Sequence, residues 1–107
     1  MGENETFSFK KRKEGDTWNY VLRGRLNTAT TPILERELTN TVLQEEKLVL
    51  DFHGVEYVSS AGLRLLLSMH KKMKEEQGMR LQGVNQEVEE VLEMTGFIHF
   101  LNIEVSE

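Results

Sequence analysis

Apolar residues follow two rhythms along this chain, a period of two and a period near 3.6, and the switches between them divide it into elements. Over Thr6–Lys11, Phe7 and Phe9 alternate with polar residues, which predicts a short half-buried strand. Lys10–Asp16 is charged, and Glu14-Gly15-Asp16 signals a turn. From Trp18 to Leu26, Trp18, Tyr20 and Leu22 alternate with Asn19, Val21 and Arg23, so a second strand and a hairpin are predicted.

The period then lengthens. Thr31 can cap a helix, and Pro32 suits the first helical position, where a missing N–H costs nothing. Leu34, Leu38 and Val42 share one face of an amphipathic helix that should end near Gln44. Lys47–Phe52 carries three adjacent apolar residues, Leu48-Val49-Leu50, the pattern of a central strand covered on both faces, with Asp51 closing it before a loop. Ser60–Gln77 predicts the longest helix, with Leu63, Leu66, Leu67, His70 and Met73 or Lys74 on one face, lysines near its end and Gly78 as its stop. Leu65 is read as an exposed apolar contact beside Arg64. Met79–Val84 is a shorter strand. Asn85 caps a third helix with Val88, Val91 and Leu92 inward and Gly96 at its C-terminus. Phe97–Val105 is a last strand or extended tail anchored by Ile98, Phe100 and Leu101.

The order β-β-α-β-α-β-α-β predicts an α/β fold: a mixed β-sheet with an N-terminal hairpin and three to four helices packed on it. With 107 residues, one domain is expected, over 6–107, after a flexible N-terminus at 1–5. The absence of cysteine excludes disulfides and thiol catalysis. A net charge of −5 argues against direct nucleic-acid binding. No apolar run reaches the ~20 residues of a membrane span, and Met1–Lys10 lacks a signal-peptide pattern, so a cytoplasmic protein is expected. Met1-Gly2 with Thr6 matches a permissive myristoylation pattern and Asn4-Glu5-Thr6 a permissive glycosylation pattern, both read as a polar terminus.

Candidate chemistry concentrates in Leu48–Leu67. Ser59-Ser60-Ala61-Gly62 open the long helix, where unpaired N–H groups and a partial positive charge collect. A hydroxyl there either caps the helix or accepts a phosphate. Asp51 at a strand end could imitate the phosphoacceptor of a response-regulator receiver, but a buried acidic pair after the first strand and a lysine beyond Lys74 are both missing. An enzyme reading finds no G-x-S-x-G elbow. His53, His70 and His99 lack metal-ligand spacing, so no metal and no cofactor are expected. Lys10-Lys11-Arg12-Lys13 reads as a solvated hairpin turn, and Met69 and Met73 as packing residues.

The stretch VLDF…VEYVSSAGLRLLL resembles the core signature of STAS domains, the family of bacterial anti-sigma factor antagonists. VLRGRLNTATTPILERELTN and VLEMTGFIHFLNI are similar to its second strand with first helix, and to its third helix with terminal strand, so the likeness spans roughly 6–105. The resemblance implies a non-enzymatic protein, commonly a monomer. It would bind an anti-sigma factor that is also a serine kinase and free a sigma factor. Phosphorylation would end binding and a PP2C-type phosphatase restore it. Matched onto the family motif Asp-Ser-Ser/Thr-Gly-Leu, the phosphoacceptor is Ser60, with Ser59 as second choice. The implied partner-binding residues are Asn27, Thr28, Ser59, Ser60, Ala61, Gly62 and Arg64. Asn27 and Ser59 stand where many members carry Asp, which removes negative charge from that surface. The family also includes unphosphorylated assembly modules of sensory complexes and lipid-transport systems, the alternative reading.

Overall fold

The computed structural model describes residues 7–74, 78–99 and 101–105. The elements, in order, are β1 (Phe7–Glu14), β2 (Thr17–Leu26), α1 (Thr31–Thr41), β3 (Lys47–Val58), α2 (Ser60–Lys72), β4 (Met79–Val84), α3 (Gln86–Thr95), a 3₁₀ turn (Phe97–His99) and β5 (Ile103–Val105). The strands form one sheet in chain order; β1 is antiparallel to β2, and β2 through β5 are parallel neighbours. The predicted mixed sheet with an N-terminal hairpin is therefore observed, with three α-helices among the described residues. The readings at Thr6, Phe100 and Gln77, and those on residues 1–5, lie outside the described residues.

This strand order fixes where the helices go. Each crossover steps the same way across the sheet, and right-handed crossovers in one direction put every helix on one face. Burial alternates to match. Tyr20, Leu22, Leu48, Leu50, Phe52, Met79 and Leu81 are buried, whereas Val21, Arg23, His53 and Arg80 on the other face are exposed. The apolar run Leu48-Val49-Leu50 predicts two covered faces; Val49 is only half-buried, since among the described residues no helix lies on the second face.

Several boundaries differ from the pattern. β1 extends through Lys13 to Glu14, because its cationic half finds partners across the hairpin, on α1 and in the connection from α1 to β3. Lys11 Nζ donates to Glu37 at 2.6 Å and Lys13 Nζ to Glu46 at 2.6 Å, and both ammonium groups lie near the Trp18 ring. Glu37 also accepts from Tyr20 (2.7 Å) and Thr41 (3.0 Å). Glu46 accepts from the Trp18 indole (3.2 Å) and the Leu43 amide (2.9 Å). β3 does not stop at Asp51 but runs to Val58, absorbing two register shifts against β2 that interrupt its alternation. α1 starts one residue early, with Thr30 at the N-cap, and ends at Thr41 rather than near Gln44. α2 ends at Lys72; Met73 turns extended and buries its side chain, and the Lys74 amide donates to Gln44 O instead of continuing the helix. The tail divides into the 3₁₀ turn and β5, with Leu101 buried between them. Asn85 and Gly96 bound α3 as expected, the Asn85 side chain accepting from Val88 N at 2.9 Å.

Gly83 shows why one position admits no side chain. Its φ is +73°, and a Cβ there would overlap the imidazole of His53, which Asp51 holds through a 2.7 Å contact at Nδ1. Gly83→Ala should cost about 2–3 kcal/mol in urea unfolding. His53→Ala in that background should relieve the overlap but leave the strain of the left-handed backbone.

Burial opposes ionisation of Glu37, but the donors Lys11, Tyr20 and Thr41 outweigh it and hold the carboxyl below its ordinary range. A carboxyl lowered by folding contributes stability that is complete above its unfolded value and lost as pH falls through the folded one. Glu37→Gln should therefore lower stability by about 1–2 kcal/mol at pH 7. It should also flatten, without abolishing, the loss of stability below pH 5 in unfolding titrations, since Glu46 is lowered too, chiefly by Lys13.

Candidate functional site

The carboxyl ends of β2 and β3 and the first turns of α1 and α2 meet at one rim of the sheet. Two contacts hold them there. The Ser59 amide donates to Leu26 O at 2.8 Å, tying the entry of α2 to the end of β2. Gly62 then packs so closely that a Cβ would stand 3.0–3.2 Å from Val58 Cγ1 and the Leu26 side chain. The helix start is thus pressed against the sheet and the first helical residue, Ser60, is turned outward. Ser60 is exposed, and its hydroxyl makes no side-chain hydrogen bond to another described residue.

Its neighbour is engaged differently. Ser59 is the N-cap, and its Oγ accepts from the Gly62 amide at a long 3.4 Å. The ambiguity between capping and modification is thereby divided between two residues: Ser59 caps, and Ser60 stays free.

The β2–α1 connection packs alongside. The Asn27 side-chain oxygen accepts from the amides of Ala29 and Thr30, each at 3.0 Å. The buried Thr30 hydroxyl donates to Arg25 O at 2.6 Å and accepts from the Asn27 amide at 2.9 Å. Thr31, read as the cap from sequence, is buried and its hydroxyl has no partner among the described residues; the N-cap position falls to Thr30, whose hydroxyl makes no cap bond to the helix. Asn27 therefore shapes this loop more than it presents a surface. Asn27 and Ser59 both keep the hydrogen-bonding part an Asp would play while leaving out the charge.

Of the residues singled out from sequence, Thr28, Ser60 and Arg64 are exposed, Ala61, Asn27 and Ser59 are half-buried, and Gly62 is buried. Leu65 is corrected: it is 4% exposed, because α2 packs against α1 as well as the sheet, which widens its buried stripe to Gly62, Leu63, Leu65, Leu66 and Met69. A shallow groove of about 410 Å³ runs between α1 and α2, with Thr28, Thr31, Glu35, Ala61, Arg64 and Ser68 in its walls. Sequence reasoning missed Tyr57 and Arg25 at the same rim. Tyr57 is 41% exposed with the Arg25 guanidinium 4.7 Å from its ring centroid. Their alignment depends on a register shift that no local pattern reveals. Asp51 accepts from the His53 amide at 2.9 Å, and among the described residues no group of three or more His, Asp or Glu could hold a metal ion. No helix of the described residues is long and apolar enough to cross a membrane.

A one-faced sheet wound by successive βα units, with a free serine opening the helix after its central strand, defines a small α/β domain built around an exposed rim. The STAS domain family matches residues 8–107, and the chain belongs to that family. It is 39% identical over 79 residues to BtrV of Bordetella bronchiseptica, a protein named as an anti-sigma factor antagonist, covering 72% of this chain and 68% of BtrV. The fold is similar to that of an anti-sigma factor antagonist from Mycobacterium paratuberculosis, at 19% identity over 97% of this chain and 90% of the other, with a TM-score of 0.83. It is also similar to SpoIIAA in its unphosphorylated form, at 16% identity over 90% and 87% of the two chains, with a TM-score of 0.72. The phosphorylated form of SpoIIAA from Bacillus is similar over 90% of each chain, at 14% identity and a TM-score of 0.65.

The division of labour between the two serines is directly measurable. Ser59→Ala should destabilise the protein by about 0.5–1 kcal/mol through loss of the cap. Ser60→Ala should leave the thermal midpoint within about 1–2 °C of wild type, since the hydroxyl it removes has no partner.

Proposed function

We propose that this protein is an anti-sigma factor antagonist of the cytoplasm, one that docks on an anti-sigma factor serine kinase through the rim around Ser60 and thereby frees a sigma factor. Phosphorylation of Ser60 by that kinase ends the interaction, and a PP2C-type phosphatase reverses it. The protein acts by binding and carries no catalytic residue, metal or cofactor. The observation that carries the reading is the free, outward hydroxyl of Ser60 beside a neighbour already spent on capping. The name of the BtrV relative supports the partner class.

The physical basis of the switch is desolvation. A phosphate brings about −1.5 to −2 charges and three acceptor oxygens. Inside a close-packed contact these must lose water or force a gap. A penalty of about 3–4 kcal/mol weakens a complex some two to three decades. The surface to be blocked includes Thr28, Arg64 and the groove between α1 and α2, with Asn27, Ser59, Ala61 and Gly62 holding it in shape.

Pull-downs from bacterial lysate with Ser60→Ala and Ser60→Asp proteins test the reading. The Ala protein should retain an anti-sigma factor kinase and the Asp protein lose it at least 100-fold. Incubation with ATP and that kinase should add a phosphate to the Ser59–Arg64 peptide by mass spectrometry. Equal retention by both variants, with no phosphate on the peptide, would favour an unphosphorylated assembly module and overturn the switch.

A further inference from the structure

The phosphoacceptor has a cation one helical turn away that nothing else claims. Ser60 is the first residue of α2, and Arg64 lies four residues on. In an α-helix, side chains at that spacing are neighbours on one face, with Cβ atoms about 5–6 Å apart. Both residues are exposed, and the Arg64 guanidinium forms no ion pair within 4 Å among the described residues. Glu35 of α1 lines the same groove and does not pair with it. On the strand ends beside the site, Arg25 of β2 is engaged over Tyr57, and Glu56 of β3 is exposed but lines a separate hollow with Phe7, Arg23 and His53. The first turn of α2 holds no acid, and Asn27 and Ser59 are neutral.

We infer that Arg64 is the intramolecular counter-ion of a phosphate on Ser60. This rests on the proposal that Ser60 is the modified residue. The guanidinium presents several donors in a planar fork that matches phosphate oxygens, a fit that lysine meets only as a point charge. Pairing has two effects. It favours the dianionic phosphate and so lowers its second ionisation. It also withdraws Arg64 from the docking face, so an acidic group on a partner loses its cation when the serine is modified. Modification would then act by subtraction as well as by adding bulk and charge.

The test needs no kinase. Phosphoserine is installed at position 60 during translation in the full chain, with Arg64, Arg64→Lys or Arg64→Gln. The ³¹P shift of each is followed from pH 4 to 8. The second ionisation of phosphoserine ordinarily lies near 6. It should fall about 0.15–0.4 unit lower with Arg64 than with Arg64→Gln. Arg64→Lys should recover part of the difference, and 1 M salt, where the screening length is about 3 Å, should erase most of it. Equal values in the three proteins at low salt would overturn the pairing. That result would leave the Ser60 switch standing, whereas partner binding undiminished by the installed phosphate would remove the switch and leave the pairing intact.

Discussion

The close approach of α2 to the sheet at Gly62 governs the geometry of the whole rim. Leu26 and Val58 occupy the space a side chain would need, so the helix axis is set by contact with the ends of two strands. The Ser59–Leu26 backbone bond fixes the same junction along the strand direction. Once both are in place, the first helical residue has nowhere to turn but outward. The glycine lies under the surface and acts by letting other groups reach it. A rim built this way is rigid, because its parts are held by core packing and main-chain bonds instead of by surface side chains.

Charge and shape are separable at this site. The turn before α1 and the cap of α2 both need an oxygen acceptor at a defined place, and an amide or a hydroxyl serves as well as a carboxylate. With Asn27 and Ser59 in those places, the architecture is kept while the local field shifts toward positive. A group of evolving proteins can thus retune how an added anion is received without moving a backbone atom. The role proposed for Arg64 depends on that shift, since a surface cation with no ion pair among the described residues stays available.

Much of this arrangement was legible in the residues because it rests on local rules. Phe7, Tyr20 and Leu22 announce their strands by alternation, Leu34 and Leu38 their helix by spacing, and Asn85 and Gly96 their helix ends by capping chemistry. Ser60 was legible as the opening of α2, but its outward direction depends on the buried stripe that Gly62, Leu65 and Met69 define, which the residue pattern placed about a third of a turn away. What could not be read depends on partners far along the chain. Lys11 and Lys13 look like turn residues until Glu37 and Glu46 are brought to them. The end of β3 loses its rhythm at two register shifts, which hid Tyr57 and its pairing with Arg25. Leu65 falls on a face that is solvent for an isolated helix and interior once α1 is laid beside it.

The cationic strand β1 has a consequence for how the protein behaves in a crowd. Among the described residues it is an edge strand, bonded on one side to β2, and such a strand flank invites another chain to extend the sheet. Along this flank runs Lys10-Lys11-Arg12-Lys13. A like strand laid antiparallel would bring matching cations to within about 5 Å of each other on both faces. The lysines that Glu37 and Glu46 hold in register are therefore also a guard rail, keeping the sheet at five strands in a chain with no cysteine to lock it shut.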